Sequence, residues 1–250
     1  MSADAPTNVA LVTGASSGIG AATARRLAQA GFAVGLCARR TDRLAALAET
    51  IARDGGRAFA TPCDVRDPRA VRACVEAVED ALGPIDVLVN NAGLGLDAPL
   101  LEGPVEAWRQ MLETNVLGLC VATLEVTKRM RARDDRGHVV HIASMAAHRV
   151  PTGSGVYAAT KFAVRALCEG LRRELRAAGS RIRVTEISPG FVETEFAAVF
   201  HGSEEAARAV YDRIRCLSAE DVAQLVAFAV TRPPHVQIHD ILVRPTEQED

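Results

Sequence analysis

Apolar runs rich in valine, isoleucine and leucine alternate along the chain with longer stretches in which apolar residues recur at helical spacing. The runs are Val9 to Thr13, Ala33 to Ala38, Arg57 to Pro62, Asp86 to Asn90, His138 to Ala143, Arg181 to Ser188 and Ile238 to Val243. This alternation predicts strand, crossover helix, strand. Runs 9–13, 33–38, 86–90 and 181–188 are dominated by apolar residues, as expected of strands covered by helices on both faces. Helical patterns fall at 18–30, 42–54, 68–82, 105–132, 155–179 and 219–231. Thr41, Asp67 and Ser218 stand at N-cap positions and Pro68 at a first helical position, while Gly31, Gly55, Gly83 and Gly179 stand where helices should stop. The prediction is an α/β chain with one doubly wound, parallel, seven-stranded sheet.

A stretch at 191–217 interrupts the rhythm. It gathers Phe191, Phe196, Phe200 and Tyr211 in a chain that is only 4% aromatic. Such an insert reads as a substrate-binding lid or as a satellite helix pair with its own small core. No repeat or linker divides the rest, so 1–250 is expected to form one domain.

At 250 residues, 48% hydrophobic and 24% charged, the chain has the composition of a globular protein that buries a large core. Its 29 basic and 31 acidic residues are interspersed. That excludes the positive field nucleic-acid binding requires, and a membrane partner is not expected either. The start, Met1 to Asn8, carries Asp4 where an export signal would be basic. Cys37, Cys63, Cys74, Cys120, Cys168 and Cys216 lie singly, without a C-x-x-C pair, and read as buried, reduced, small apolar side chains. A cytoplasmic location follows, and no metal is expected. His138, His141, His148, His235 and His239 lack the spacing of a metal site.

Chemistry concentrates at four places. Gly14, Ser16, Ser17, Gly18, Ile19 and Gly20 form a glycine-rich turn between the first strand and a helix. There backbone N–H groups and the helix dipole suit a diphosphate. In a dinucleotide site the end of the second strand selects the cofactor. Arg39 and Arg40 stand there without an acidic residue, and guanidinium groups favour a 2′-phosphate, hence NADP(H). Tyr157 and Lys161 lie four apart on one helical face, in a chain with two tyrosines. A phenol needs a neighbouring positive charge to exchange protons near neutral pH. The loop between Ser144 and Tyr157 carries His148 and Arg149, candidates to touch substrate together with Met145, Val150 and Leu94.

These motifs resemble the short-chain dehydrogenases/reductases, in particular an NADP-preferring branch of similar length. The matches are TGASSGIG at 13–20, Asp64-Val65, Asn90-Asn91-Ala92-Gly93, Asn115, Ser144, Tyr157 with Lys161, and Pro189-Gly190-Phe191-Val192-Glu193-Thr194. The tail Arg244-Pro245-Thr246 is similar to that of clavulanic-acid-dehydrogenase-like carbonyl reductases. The resemblance implies a Rossmann-type fold and four catalytic residues, Asn115, Ser144, Tyr157 and Lys161. Tyr157 would give a proton to the carbonyl oxygen and Ser144 would hydrogen-bond it. Lys161 would lower the phenol pKa and hold the nicotinamide ribose, and Asn115 would anchor a water linking Lys161 to solvent. Asp64 and Val65 would flank the adenine; Asn91, Ala92 and Gly93 would line the cofactor; and Pro189, Gly190, Val192 and Thr194 would meet the carboxamide.

The expected activity is hydride transfer between NADP(H) and a ketone, aldehyde or secondary alcohol. An NADP+-dependent hydroxy acid or polyol dehydrogenase, and a non-catalytic dinucleotide-binding regulator, are the alternatives. The resemblance also implies a homo-oligomer, dimer or tetramer, joined through 105–132 and 155–179, where Val116, Leu119, Val121, Phe162 and Leu167 add apolar surface.

Overall fold

Seven strands form the sheet: β1 (Val9–Thr13), β2 (Ala33–Ala38), β3 (Arg57–Pro62), β4 (Ile85–Asn90), β5 (His138–Ile142), β6 (Arg183–Pro189) and β9 (Asp240–Val243). The order is β3-β2-β1-β4-β5-β6-β9 and every neighbouring pair is parallel. β1, β2 and β5 are buried along their whole length, whereas the edge strands β3 and β9 are largely exposed or half-buried. The computed structural model describes residues 8–212 and 214–249. Residues 1–7, including the acidic start, lie outside the described residues, as does position 213 within the 191–217 insert.

The crossover helices are α1 (Gly18–Gln29), α2 (Thr41–Arg53), α3 (Pro68–Leu82), α4 (Val105–Leu112) continuing into α5 (Leu119–Arg133), α6 (Gly155–Ala177) and α9 (Ala219–Val230). Two apolar layers result. One packs α1, α2 and α9 on the sheet through residues such as Leu27, Leu44 and Val226; the other packs α3, α5 and α6 through Val75, Val126 and Cys168. Burial of these large aliphatic side chains, each contributing roughly 1.5–3 kcal/mol of transfer free energy, is what fixes the layers.

The caps are local. Asp67 accepts from the Arg69 N–H at the start of α3, with Pro68 in its first turn. Ser218 and Asp221 cap α9 reciprocally. Thr41 departs from expectation: it is the first residue of α2, and Arg40 occupies the cap position without a side-chain capping bond. A guanidinium has no acceptor to offer the helix N–H groups, and the Arg40 side chain instead reaches back to the glycine-rich turn.

Between α4 and α5 the chain forms one π-helical stretch, Glu113–Gly118. The wider turn inserts a residue, so the apolar face is displaced across it. Leu119, expected to add outer apolar surface, is buried, while Leu117 and Leu124 face outward. In the 191–217 segment the chain makes β7 (Val192–Glu193), α7 (Phe196–His201), α8 (Glu204–Tyr211) and β8 (Leu217–Ser218), with β7 and β8 paired in a small sheet of their own.

Candidate active site

The strand order reverses between β1 and β4, and their carboxyl ends open the crevice where such sheets bind ligands. Thr13, at the end of β1, ties both sides together. Its hydroxyl accepts from the N–H groups of Asn91 and Ala92 at 3.1 and 3.0 Å, and the Asn91 amide donates to the carbonyls of Thr13 and Gly14. Gly14 has φ +67, and a Cβ there would lie 2.8 Å from the Ala92 Cα. On Gly20 a Cβ would overlap the Gly14 carbonyl and the Asn91 amide. These two glycines therefore let the turn close on the Asn91–Ala92 loop, a protein contact beyond the expected diphosphate approach. Gly18, with φ +52, faces the Thr194 side chain.

Ser17 opens α1 in an extended conformation and makes no side-chain cap. Its hydroxyl and that of Ser16 receive the Arg40 guanidinium, at 2.6 Å and 3.0–3.1 Å. Arg40 and Arg43 both pair with Glu195, which follows Thr194. The Arg43 and Arg40 bonds hold the Glu195 carboxyl down at about 2. Two guanidinium groups, two hydroxyls and a helix N-terminus make a donor set that fits a phosphorylated dinucleotide. Arg39 lies near Asp64. Asp64 is clasped by Arg66, whose hydrogen bond holds the carboxyl below its ordinary range, and Val65 rests on Gly118 of the π-helical stretch.

Asn115 sits in that π-helical stretch and is 1% exposed. Its Oδ1 accepts from the Leu94 N–H at 2.9 Å, and its Nδ2 donates to the Leu94 carbonyl at 2.7 Å and to Thr160 Oγ1 at 3.0 Å. Thr160 in turn donates to the Tyr157 carbonyl. The amide is thus occupied in joining the loop after β4 to α6. Gly93 passes close to the Asn115 side chain and to Lys161 Nζ.

On α6 the Lys161 ammonium is buried, donates to the Ile142 carbonyl at 3.0 Å and lies 5.9 Å from the centre of the Tyr157 ring. Burial draws Lys161 down to about 8, while the nearby Glu186 charge opposes that shift. Tyr157 is half-buried as a residue, yet dense surroundings push its phenol up to about 12, with a hydrogen bond involving Ser144 pulling the other way. Desolvation outweighs the Ser144 bond, so the phenol lies above its ordinary range in this arrangement. Ser144 caps the short turn Met145–Ala147 by accepting from Ala146 N.

The wall above Tyr157 is aromatic. The Phe196 and Phe200 rings stand 5.4 and 6.3 Å from its ring, and Gly95 fits between all three. Tyr211 donates to the Thr194 carbonyl and secures α8 to the 192–194 turn. Phe191, in contrast, is exposed. Pro189 ends β6, and the Gly190 N–H donates to Val243 beside Gln248. His148, a candidate substrate contact, is engaged by Ser188 and Arg165. Arg43, Gly95 and Glu195 were not singled out from the sequence. Thr13 and Thr160 carried a signal without a role assigned, Thr13 as the first residue of TGASSGIG and Thr160 as a residue between Tyr157 and Lys161.

Comparison with known proteins bears on this geometry. The model of the family described as short chain dehydrogenase matches residues 8–205. Dehydrogenase/reductase SDR family member 11 of Gallus gallus is 47% identical over 246 residues, covering 96% of each chain. Farnesol dehydrogenase of Aedes aegypti is 40% identical over 248 residues, covering 96% of this chain and 97% of that one. The closed form of serine dehydrogenase complexed with NADP+ superposes with a TM-score of 0.91 at 36% identity, covering 97% of this chain and 96% of that one. Breadth of match and level of identity agree, and the chain belongs to the short-chain dehydrogenases/reductases, oxidoreductases of alcohol and carbonyl groups that bind a nicotinamide cofactor.

Proposed function

We propose that the chain is an NADP(H)-dependent reductase of ketones or aldehydes, with Tyr157 as proton donor. The observation that carries this reading is the placement of the Tyr157 phenol beside Ser144 and the buried Lys161, under the aromatic wall of Phe196 and Phe200. When bound, the nicotinamide supplies the hydride. The residues of the chain do the rest.

Tyr157 Oη donates to the carbonyl oxygen as negative charge develops there, and Ser144 Oγ hydrogen-bonds the same oxygen. Lys161, pinned to Ile142, keeps a cation near the phenol and offers its remaining donors to the ribose. Asn115 and Thr160 position both the loop after β4 and the backbone of Tyr157. Gly14, Ser16, Ser17, Gly18, Ile19 and Gly20 hold the diphosphate. Asp64 and Val65 flank the adenine, Asn91 to Gly93 line the cofactor, and Pro189, Gly190, Val192 and Thr194 approach the carboxamide. Arg39, Arg40 and Arg43 supply the charge that selects a 2′-phosphate. The 191–217 insert acts as the lid, and its phenylalanine rings favour an apolar carbonyl compound over a hydroxy acid.

Steady-state reduction of a ketone and aldehyde panel with NADPH tests the reading. Tyr157→Phe is expected to lower kcat by about 10²- to 10⁴-fold. A variant that keeps most of its activity overturns the assignment. The proposal extends to a cytoplasmic homo-oligomer, dimer or tetramer, supported by Leu112, Leu117, Leu124 and Phe162, which leave large apolar side chains exposed along the 105–133 and 155–177 helices. Light scattering distinguishes these states from a monomer.

A further inference from the structure

Three cysteines far apart in the sequence meet beneath the adenosine end of the crevice. Cys37 lies in β2, Cys63 follows β3 and Cys74 lies in α3. All three are buried, at 1%, 5% and 3% exposure, and their sulfur atoms lie within 4.8 Å of one another. The topology makes the cluster: Cys37 points to the α3 side of the sheet, whereas Leu36 and Ala38 belong to the opposite layer. The Cys63 N–H donates to the Ala38 carbonyl at 2.9 Å, which brings the chain after β3 alongside the end of β2.

Three sulfur ligands at zinc–sulfur bond lengths of about 2.3 Å would lie roughly 3.8–4.0 Å apart. The observed cluster needs only a small contraction to reach that geometry.

We infer that Cys37, Cys63 and Cys74 form a three-sulfur binding site for one thiophilic divalent cation, zinc(II) in chemical class. Binding to the three thiols forms three metal–sulfur bonds, breaks three S–H bonds and releases three protons to solvent. Among the described residues no fourth histidine, cysteine or carboxylate ligand joins the group, which leaves the cation an open position for water. Cys37 adjoins Ala38 and Arg39, and Cys63 adjoins Asp64, so the cation would sit directly under the residues proposed to hold the adenosine end.

Cadmium(II) is the probe, in the full chain carrying Cys120→Ser and Cys216→Ser to remove the two half-buried thiols. Titration against a competing chelator is expected to give one cadmium per chain, with thiolate-to-metal charge-transfer absorbance and three sulfur neighbours by X-ray absorption. Adding Cys74→Ala should weaken binding about 100-fold or more while leaving reductase activity in place. Absence of a saturable site, fewer than three sulfur neighbours, or unchanged affinity in the Cys74→Ala chain overturns the inference. Should that variant fail to fold, the sulfur count in the double variant decides alone.

Discussion

The two ends of the crevice are built on opposite principles. At the proposed catalytic end, Asn115 and Lys161 are buried and every polar atom of the Asn115 side chain is committed to a backbone or hydroxyl partner. At the other end Arg40, Arg43 and Glu195 keep 43%, 45% and 45% of their side chains exposed. Exposed ion pairs contribute about 0–1 kcal/mol to folding, whereas breaking a buried polar network leaves groups unsatisfied at about 1–3 kcal/mol each. The first end is therefore part of the folded framework, and the second is charge that a ligand can recruit. Rate should depend on the former and cofactor choice on the latter.

The sharpest way to test the framework side is acid. His138 and His141 lie in β5, next to the strand end that holds Lys161, and burial draws both down to about 3. The His138 geometry explains why. Thr185 gives its hydroxyl proton to Ile238, so His138 Nε2 must donate to Thr185, and Nδ1 has no partner for a second proton. For both groups the folded pKa lies below the ordinary 6.5. The unfolded chain takes up their protons as pH drops through 6.5, and the folded chain does not until about 3. Stability is then full above 6.5 and lost below it, by about 1.4 kcal/mol per pH unit for each histidine. Urea unfolding at pH 7.5, 6.0 and 5.0 should show a loss of roughly 4 kcal/mol between 7.5 and 5, and His138→Gln should about halve that slope. A flat profile would mean that the strand admits charge.

A second break comes at Gly20. A methyl group there meets the Gly14 carbonyl and the Asn91 amide, neither of which can move without opening the Thr13 network. Gly20→Ala is expected to cost about 3 kcal/mol and to lower the thermal midpoint accordingly. Gly31→Ala offers a control, because space around Gly31 is open and only its φ of +90 resists the change. The control should be the milder of the two.

Asn115→Leu tests the positioning role with a smaller effect on stability, about 2 kcal/mol, because Leu94 is half-buried and solvent partly replaces the lost partners. Its effect on kcat should exceed its effect on KM, since the loop after β4 and the Tyr157 backbone lose their common tie. Asn115→Asp, which keeps an acceptor for the Leu94 N–H, should recover part of the stability but less of the rate. Equal effects of both substitutions on kcat and KM would argue for a merely structural residue.

The same contrast governs what could be read from the sequence. Strands at 9–13 and 33–38 were legible to the residue, because apolar runs ending at glycine or arginine leave little freedom in where a buried strand stops, and the half-buried edge strand 57–62 also falls at its expected bounds. Tyr157, Lys161 and Asn115 were legible as residue types at motif spacing, but the Leu94 and Thr160 partners that give Asn115 its place depend on a π-helical turn, and inserting one residue leaves the apolar periodicity on either side intact. Leu119 was misjudged for that reason. The Arg43–Glu195 pair joins elements 152 positions apart, and the cysteine cluster joins three. Neither follows a local period, so only the fold brings them together.

The gentlest probe is Glu195→Gln, and it addresses the exposed end directly. Glu195 now balances the charge of Arg40 and Arg43, with its carboxyl held at about 2 so that it stays ionised throughout the working range. A 2′-phosphate must compete with that carboxylate for the same guanidinium donors. Removing the charge should shift the thermal midpoint by no more than about 4 °C, since exposed pairs contribute at most about 1 kcal/mol. It should also tighten NADPH binding by roughly three- to tenfold, about 0.6–1.4 kcal/mol, while leaving NADH unchanged. Equilibrium fluorescence titration with both cofactors reads the difference. Weaker NADPH binding would reverse the inference, because it would mean that Glu195 holds the two arginines in place for the phosphate and does not compete with it.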